Sequence, residues 1–406
     1  MTSSVLPLRR LFSVVNGGTP TSEPENWGGE VPWATPADFS GRLTEVTTTR
    51  RTLTPSGARS GSVIVPRGSL LVSTRAPIGY VAVTGTEMAF NQGCRALVPR
   101  AGADVRFFGY QLEARLPDLQ AEGLGATFLE LSSEKLSSFV VVAPPLDEQR
   151  RIADFLDSET ARIDRLIHLY GQLSVLAAER AQRVLDEAVD KCTDRAPLRY
   201  IVRFREGPGI MAVDFQSDGV PLIRIAGLIK GQVTLNGCNF LNPDKVARQW
   251  PQFRLRLGDR LISGSATMGG VSVVRDPAVV GSVPYTGLII LRPAQEDVDM
   301  EYVEAFLQSS QFLRQIDLLK TGATMQHFGP THLSQVRAPL PRLDEQRGIA
   351  ATARDALRHA SLCEELTKRQ IALLGERRRA LITAAVTGQF DITTASGRNV
   401  TEGVAV

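Results

Sequence analysis

Several short clusters in this 406-residue chain carry groups fit for recognising another molecule. Ser73, Thr74 and Arg75 follow the β-branched run Leu70-Leu71-Val72, and Ser263, Ser265 and Thr267 follow Leu261-Ile262 at the matching place in the second half of the chain. A guanidinium such as that of Arg75 can fork onto the acceptor pair of a guanine edge, or serve as a phosphate or surface arginine. Asn91-Gln92 offers amide groups of the kind that pair with adenine, though an amide also stabilises a turn, which is its commoner use. Arg203 and Arg205 suit backbone phosphates or a solvated face. Thr127 and Thr324 sit in two matching Gly-Ala-Thr loops, which points to a shared role such as a phosphate contact. Groups arranged for bond-making chemistry are missing. The chain has no Gly-Lys dipeptide for a phosphate-cradling loop, no Asn-Pro-Pro-Tyr element and no lysine with an acidic residue two positions before it. Its four histidines lack metal-ligand spacing, and Cys94, Cys192, Cys238 and Cys363 are scattered, as reduced structural thiols are.

The elements that must hold these clusters occur twice. Gly125-Ala126-Thr127 returns as Gly322-Ala323-Thr324, and Leu146-Asp147-Glu148-Gln149-Arg150 as Leu343-Asp344-Glu345-Gln346-Arg347, both at an offset of 197 residues. The register holds without a gap from Gly125 to Val189, with 19 identities in 65 aligned pairs. Upstream the offset is 190: Gly68-Ser69-Leu70-Leu71-Val72-Ser73 aligns with Gly258-Asp259-Arg260-Leu261-Ile262-Ser263. Each copy therefore has a divergent front part and a well-matched back part. Two diverged copies make a pseudo-two-fold object, suited to a target with two separate halves.

Residues 1–143 read as a sheet-rich mixed α/β domain. Ser62–Val65, Leu70–Ser73, Tyr80–Val83 and Phe139–Val142 are strand-like, and Asp104 to Gln120 has helical spacing. Residues 193–339 repeat this style, with strands over Val220–Ile225 and Gly287–Leu291 and a helix over Met300–Leu319. After each domain, prolines block helix and acidic residues then open one: Pro144-Pro145 before Asp147-Glu148, and Pro339-Leu340-Pro341 before Asp344-Glu345. Segments 144–192 and 340–390 are thus predicted as long spacer helices. Ile152, Leu156, Ile163, Leu166, Tyr170 and Leu173 form a heptad-like seam on the first; Ile349 and Leu374 belong to a poorer seam on the second. The simplest packing is an antiparallel coiled coil. Residues 391–406 lack apolar pattern and are expected to be a mobile tail. The fold class is α+β.

Hydrophobic content of 43% is ordinary for a water-soluble chain, and no apolar run reaches the length of a membrane span. No membrane partner and a cytoplasmic location are expected. The net charge of +3 is unevenly spread: +1 over residues 1–143, −4 over 144–190, +4 over 191–339 and +2 over 340–406. Arginines outnumber lysines 40 to 6, a bias that suits nucleic acid and that GC-rich coding also produces.

The motifs together resemble the specificity (S) subunit of type I restriction-modification systems. Gly17-Gly18-Thr19-Pro20, Trp27 to Trp33 with Asp38, and "GSLLVSTRAPIG" over Gly68–Gly79 are similar to target-recognition domains. "APPLDEQRRIADFLD" and "PRLDEQRGIA" resemble the junctions into the helices, and "ERRRALITAAVTGQFDI" the closing signature. The first helix departs from that signature, ending in Val189-Asp190-Lys191. The resemblance implies a non-catalytic DNA-binding subunit, with each front domain reading one half of a bipartite duplex. The helices would set the gap and dock two methyltransferase subunits, and restriction/translocase subunits would join them. S-adenosylmethionine, ATP and magnesium would sit on those partners and none on this chain. A specificity module of another modification or phage-defence system, or a coiled-coil scaffold without DNA, are the alternatives.

Overall fold

Two long helices organise the chain, and their first turns explain where they begin. In the computed structural model, which describes residues 3–75, 77–123, 130–264, 270–319 and 327–389, the first runs over Leu146–Asp190 and the second over Leu343–Val386. Pro145 cannot continue a helix backwards, but its carbonyl accepts from the amides of Glu148 and Gln149 at 2.9 and 3.0 Å. The second start is closed by Glu345, whose carboxylate accepts from the Arg342 amide at 2.9 Å. Asp147, Glu148, Asp344 and Glu345 put negative charge where the helix dipole favours it. The residues proposed as a mobile tail lie outside the described residues.

The chain divides into two compact units that do not follow chain order. One comprises residues 1–170 with 369–406, the other residues 171–368. In the first unit five strands, β1 (Phe12–Asn16), β2 (Thr44–Val46), β3 (Leu70–Ser73), β4 (Val81–Thr84) and β5 (Cys94–Pro99), form a sheet in the order β1-β5-β3-β4-β2. Helix α1 (Val105–Ala114) covers one face with Phe107, Phe108 and Leu112 fully buried. The core continues into the long helix α2 (Leu146–Asp190) through Ile152, Leu156 and Ile163. It also takes in Leu381, Ile382, Ala385 and Val386 from the end of the second long helix. The start of one helix thus lies beside the end of the other.

The second unit repeats the plan with additions. Strands β6 (Val202–Glu206), β7 (Leu228–Ile229), β8 (Gln232–Val233), β9 (Arg260–Ser263), β10 (Val271–Val273) and β11 (Leu288–Pro293) make a sheet in the order β6-β11-β9-β10-β8-β7. Helix α3 (Met300–Gln308) buries Tyr302, Val303 and Phe306 on it. Leu185, Ala188 and Val189 of α2 join the same core as Ile349, Ala350 and Ala353 of α4 (Leu343–Val386). Smaller four-stranded sheets flank both main sheets, and a two-stranded ribbon leads into each long helix: Ser4–Pro7 with Val140–Ala143, and Arg195–Pro197 with Arg337–Pro339.

Three expectations need correction. The helix expected from Asp104 to Gln120 breaks at Arg115, where Pro117 opens a new one over Leu116–Glu122. The helix expected from Met300 to Leu319 breaks at Ser309, whose backbone is extended, and resumes over Ser310–Leu319. The heptad-like seam is buried only near its ends: Leu166 is 38% and Leu173 48% exposed, while Tyr170 and Leu374 are half-buried. In the second unit Ala177, Ala181, Ala356 and Ala360 help line a groove of about 710 Å³ between the helices.

Candidate nucleic-acid interface

Each sheet is fixed to its helix by one glutamine, and the fixing is the same twice. Gln149 Oε1 accepts from the Asp104 amide at 2.8 Å, and its Nε2 donates to the carbonyls of Pro144 (2.7 Å) and Gly102 (3.2 Å). Gln346 accepts from the Asp299 amide at 2.8 Å and donates to Pro341 (3.0 Å) and Asp297 (3.2 Å). Both side chains are buried. Asp104 and Asp299 in turn cap α1 and α3 by accepting from the next amides of the chain. The repeated Leu-Asp-Glu-Gln-Arg motif is thus a joint. Sequence reading found the motif but gave its glutamine no role.

The ion pairs around that joint differ. Arg106 of α1 donates to Asp154 at 2.8 Å and Asp157 at 2.7 Å, while in the second unit Glu301 of α3 accepts from Arg354. Asp157 and Arg354 are repeat equivalents, so the pair has opposite polarity in the two units. The first unit also has an ion pair with both side chains buried. Arg378 of α4, 4% exposed, pairs with Glu113 of α1, and its Nε lies 3.4 Å from Asp164. Glu113 also accepts from the Leu43 amide at 2.7 Å, and Asp164 from Arg42 at 2.6 Å. At the place equivalent to Arg378 the second unit has Ala181. There Gln182 donates to the Gln308 carbonyl at 3.1 Å, and Asp186 accepts from Ser310 Oγ at 2.6 Å. Tyr110 donates to Asp157 at 2.8 Å, and burial, then that carboxylate, push its phenol well above the usual range, keeping the donor proton in place.

The reader candidates of the first unit gather at the end of β3. Ser73 and Thr74 are fully buried. Ser73 Oγ donates to the Pro77 carbonyl at 2.6 Å and accepts from the Tyr80 amide at 2.9 Å, so this hydroxyl shapes the loop. Thr74 joins the backbone of Gly93 and Leu131, and its buried Oγ1 has no hydrogen-bond partner among the described residues. Arg75 is exposed and lies 3.1 Å from Glu130, which also meets Arg95 at 3.3 Å. Arg95 is anchored further, by Ser133 at 2.7 Å and the Gln92 carbonyl at 2.8 Å. Asn91 Oδ1 accepts from the Gly93 amide at 3.0 Å, the turn-holding role, and Gln92 Oε1 accepts from Thr19. Gly17 lets the chain after β1 close on this turn, since a Cβ there would stand 2.1 Å from the Asn91 carbonyl; Gly207 does the same against Pro284 at 2.3 Å. Arg51, stacked 3.6 Å over Trp27, went unnoticed in the sequence because nothing in the spacing links the two. Trp33 is in the core, edge-on to Trp27.

In the second unit Ser263 is buried at the end of β9, while Arg203 and Arg205 are exposed on β6. Thr127, Ser265, Thr267 and Thr324 lie outside the described residues. His332 Nδ1 accepts from the Gly329 amide at 3.1 Å and so caps a turn. Burial pushes the Cys94 thiol far up, which makes it unreactive. No group of residues fit to hold a metal occurs among those described. No helix among them is long and apolar enough to cross a membrane.

The same joint thus occurs twice, beneath two unlike polar rims, and known proteins resemble the chain. Residues 3–168 match the family described as Type I restriction modification DNA specificity domain. The specificity subunit of the MjaIX type I restriction enzyme of Methanocaldococcus jannaschii is 26% identical over 59% of this chain and 60% of its own. That of the EcoBI enzyme of Escherichia coli is 22% identical over 73% and 68%. Among solved structures, a chain of a type I R-M system described for its complex assembly and conformational transition matches with a TM-score of 0.76 at 17% identity, over 96% of this chain and 98% of that one. The HsdS subunit from Thermoanaerobacter tengcongensis matches at 0.60 and 18%, over 96% and 97%. The chain is thus similar to a type I DNA specificity domain over residues 3–168, and its fold over nearly its whole length is that of the solved type I R-M and HsdS chains, while the match to the MjaIX subunit spans 60% of that relative's length.

Proposed function

We propose that the domains over residues 1–143 and 193–339 each read one half of a bipartite duplex DNA target, and that the helical segments 144–192 and 340–390 set the gap and dock two methyltransferase subunits. Restriction/translocase subunits join that complex. S-adenosylmethionine, ATP and magnesium are held by these partners, and the assembly works in the cytoplasm. One observation carries the reading: Gln149 and Gln346 make the same joint, while the surfaces those joints hold up differ in charge. A conserved mount under a varied surface is what modular recognition requires.

Within the first domain, Arg75 is the candidate base reader, with Glu130 holding its guanidinium in plane and Ser73 shaping the loop beneath it. Thr74, Asn91 and Gln92 complete that rim. In the second domain Arg203 and Arg205 contact the backbone, and Ser263, Ser265 and Thr267 form the counterpart loop. Thr127 and Thr324 are proposed phosphate contacts. Footprinting of the chain assembled with its methyltransferase subunits tests the reading. Two protected segments separated by an unspecified gap are expected; a single continuous sequence-specific footprint would overturn it.

A further inference from the structure

The edge strand β6 of the second sheet carries charge that the equivalent edge strand of the first sheet lacks at the same register. In the first unit β1 pairs with β5 so that Ser13 faces Val98 and Val15 faces Ala96. In the second unit β6 pairs with β11 in the equivalent register, and Arg203 faces Arg292 while Arg205 faces Ile290. Ser69, at the end of the first sheet, is replaced by Asp259. Asp259 is buried and spent on Arg292, which reaches it through Nε at 2.8 Å and Nη2 at 2.7 Å. Arg260 is likewise matched, to Glu304 at 2.6 Å.

Three arginines remain. Arg203 donates only to the Ala294 carbonyl, at 3.2 Å. The Arg205 guanidinium lies 5.6 Å from the centre of the Phe253 ring. Arg256 is exposed on the loop before β9. None of the three guanidinium groups pairs with a carboxylate among the described residues, although the Arg256 amide donates to Asp259 at 2.7 Å. Together with Gln252 they line one open groove of about 670 Å³ that runs along β6 from the Arg205 end towards Gly258. Alternate residues of a strand share a face about 6.6 Å apart, so Arg203 and Arg205 present two forks in a row. Unmatched planar guanidinium groups on an exposed, open face suit a row of phosphates better than a compact ligand, which needs an enclosed site.

We infer that this groove binds the sugar-phosphate backbone of duplex DNA beside the second half-site, and that Arg203, Arg205 and Arg256 together supply salt-sensitive affinity there. The inference rests on the DNA-binding reading above and deepens it. Backbone contacts carry no sequence information, so the groove strengthens binding to any duplex.

The test uses the full-length chain and a fluorescent duplex of random sequence, with affinity measured between about 50 and 200 mM salt. Each lost phosphate contact flattens the slope of log affinity against log salt by about 0.9. The triple variant Arg203→Ala, Arg205→Ala, Arg256→Ala is expected to flatten it by about 2 to 3. The triple Lys variant at these positions keeps the slope, because charge is kept, and a matched triple of exposed arginines, Arg9→Ala, Arg10→Ala, Arg59→Ala, leaves it unchanged. Unaltered circular dichroism confirms folding of each variant. A wild-type slope in the Ala triple would overturn the groove while leaving the DNA-binding reading intact, as would an unchanged slope with loss of binding to an acidic protein subunit. Absence of duplex binding by the wild-type chain at the lowest salt, alone and assembled, would instead overturn that reading itself.

Discussion

The two sheet domains are alike where they meet the helices and unlike along the edge strand of each main sheet. Gln149 and Gln346 each make three hydrogen bonds to equivalent groups, yet Ser13 and Val15 of the first sheet stand where Arg203 and Arg205 stand in the second. Between these extremes lie contacts that keep their place and change their chemistry. Arg106 with Asp157 becomes Glu301 with Arg354, and the buried Arg378 beside Glu113 gives way to Ala181. The joints match between the two copies, while the contacts around them and the edge strands beyond differ.

The comparison breaks most readily at Arg378. Arg378→Ala leaves Glu113 buried beside Asp164 without its cation, which costs about 3–5 kcal/mol. Hydrogen exchange followed by mass spectrometry should show lost protection in α1 and in the first turns of α2, with α3 unaffected. Equal loss in both units would mean that the two are not separately stabilised.

The glutamine joints offer a matched pair of smaller effects. Gln149→Ala and Gln346→Ala each strand a buried amide and two carbonyls, at about 1–3 kcal/mol. Denaturant unfolding should give nearly equal losses for the two. A loss confined to one would show that the joints are equivalent in geometry only.

The smallest effect is expected at the inverted pairs. Arg106 and Arg354 are 39% and 58% exposed, and exposed pairs contribute about 0–1 kcal/mol. Arg106→Asp should weaken the first unit slightly, and the double variant Arg106→Asp, Asp157→Arg should restore it by rebuilding the polarity found in the second. Failure of the double variant to recover in the same unfolding assay would show that local geometry, not charge sense, decides the pair.

What was legible in the sequence follows from what is local. The long helices announced themselves through Pro145 and Pro341, the acids after them and the run of apolar residues, all of which act within a few residues. The breaks at Arg115 and Ser309 were missed, although Pro117 was a visible sign of the first. The seam was misread at Leu166 and Leu173 because periodicity shows which face is apolar and not whether anything covers it. Ser73 was placed among the readers by its position beside Arg75, yet its hydroxyl is taken up by the backbone of its own loop, a contact set by how the chain turns at Gly79. The arginine face of β6 could be suspected from Arg203 and Arg205. Its significance needed the pairing register, which shows that Asp259 neutralises Arg292 and leaves those two unmatched.

Modularity is the central claim, and exchange of one domain tests it most directly. Residues 1–143 are replaced by the corresponding domain of a type I specificity subunit, and the chain is expressed with its proposed methyltransferase subunits in cells whose genome is then read by methylation-sensitive long-read sequencing. The account predicts that one half of the methylated target changes while the other half and the gap length stay as they were. A change in both halves would contradict it.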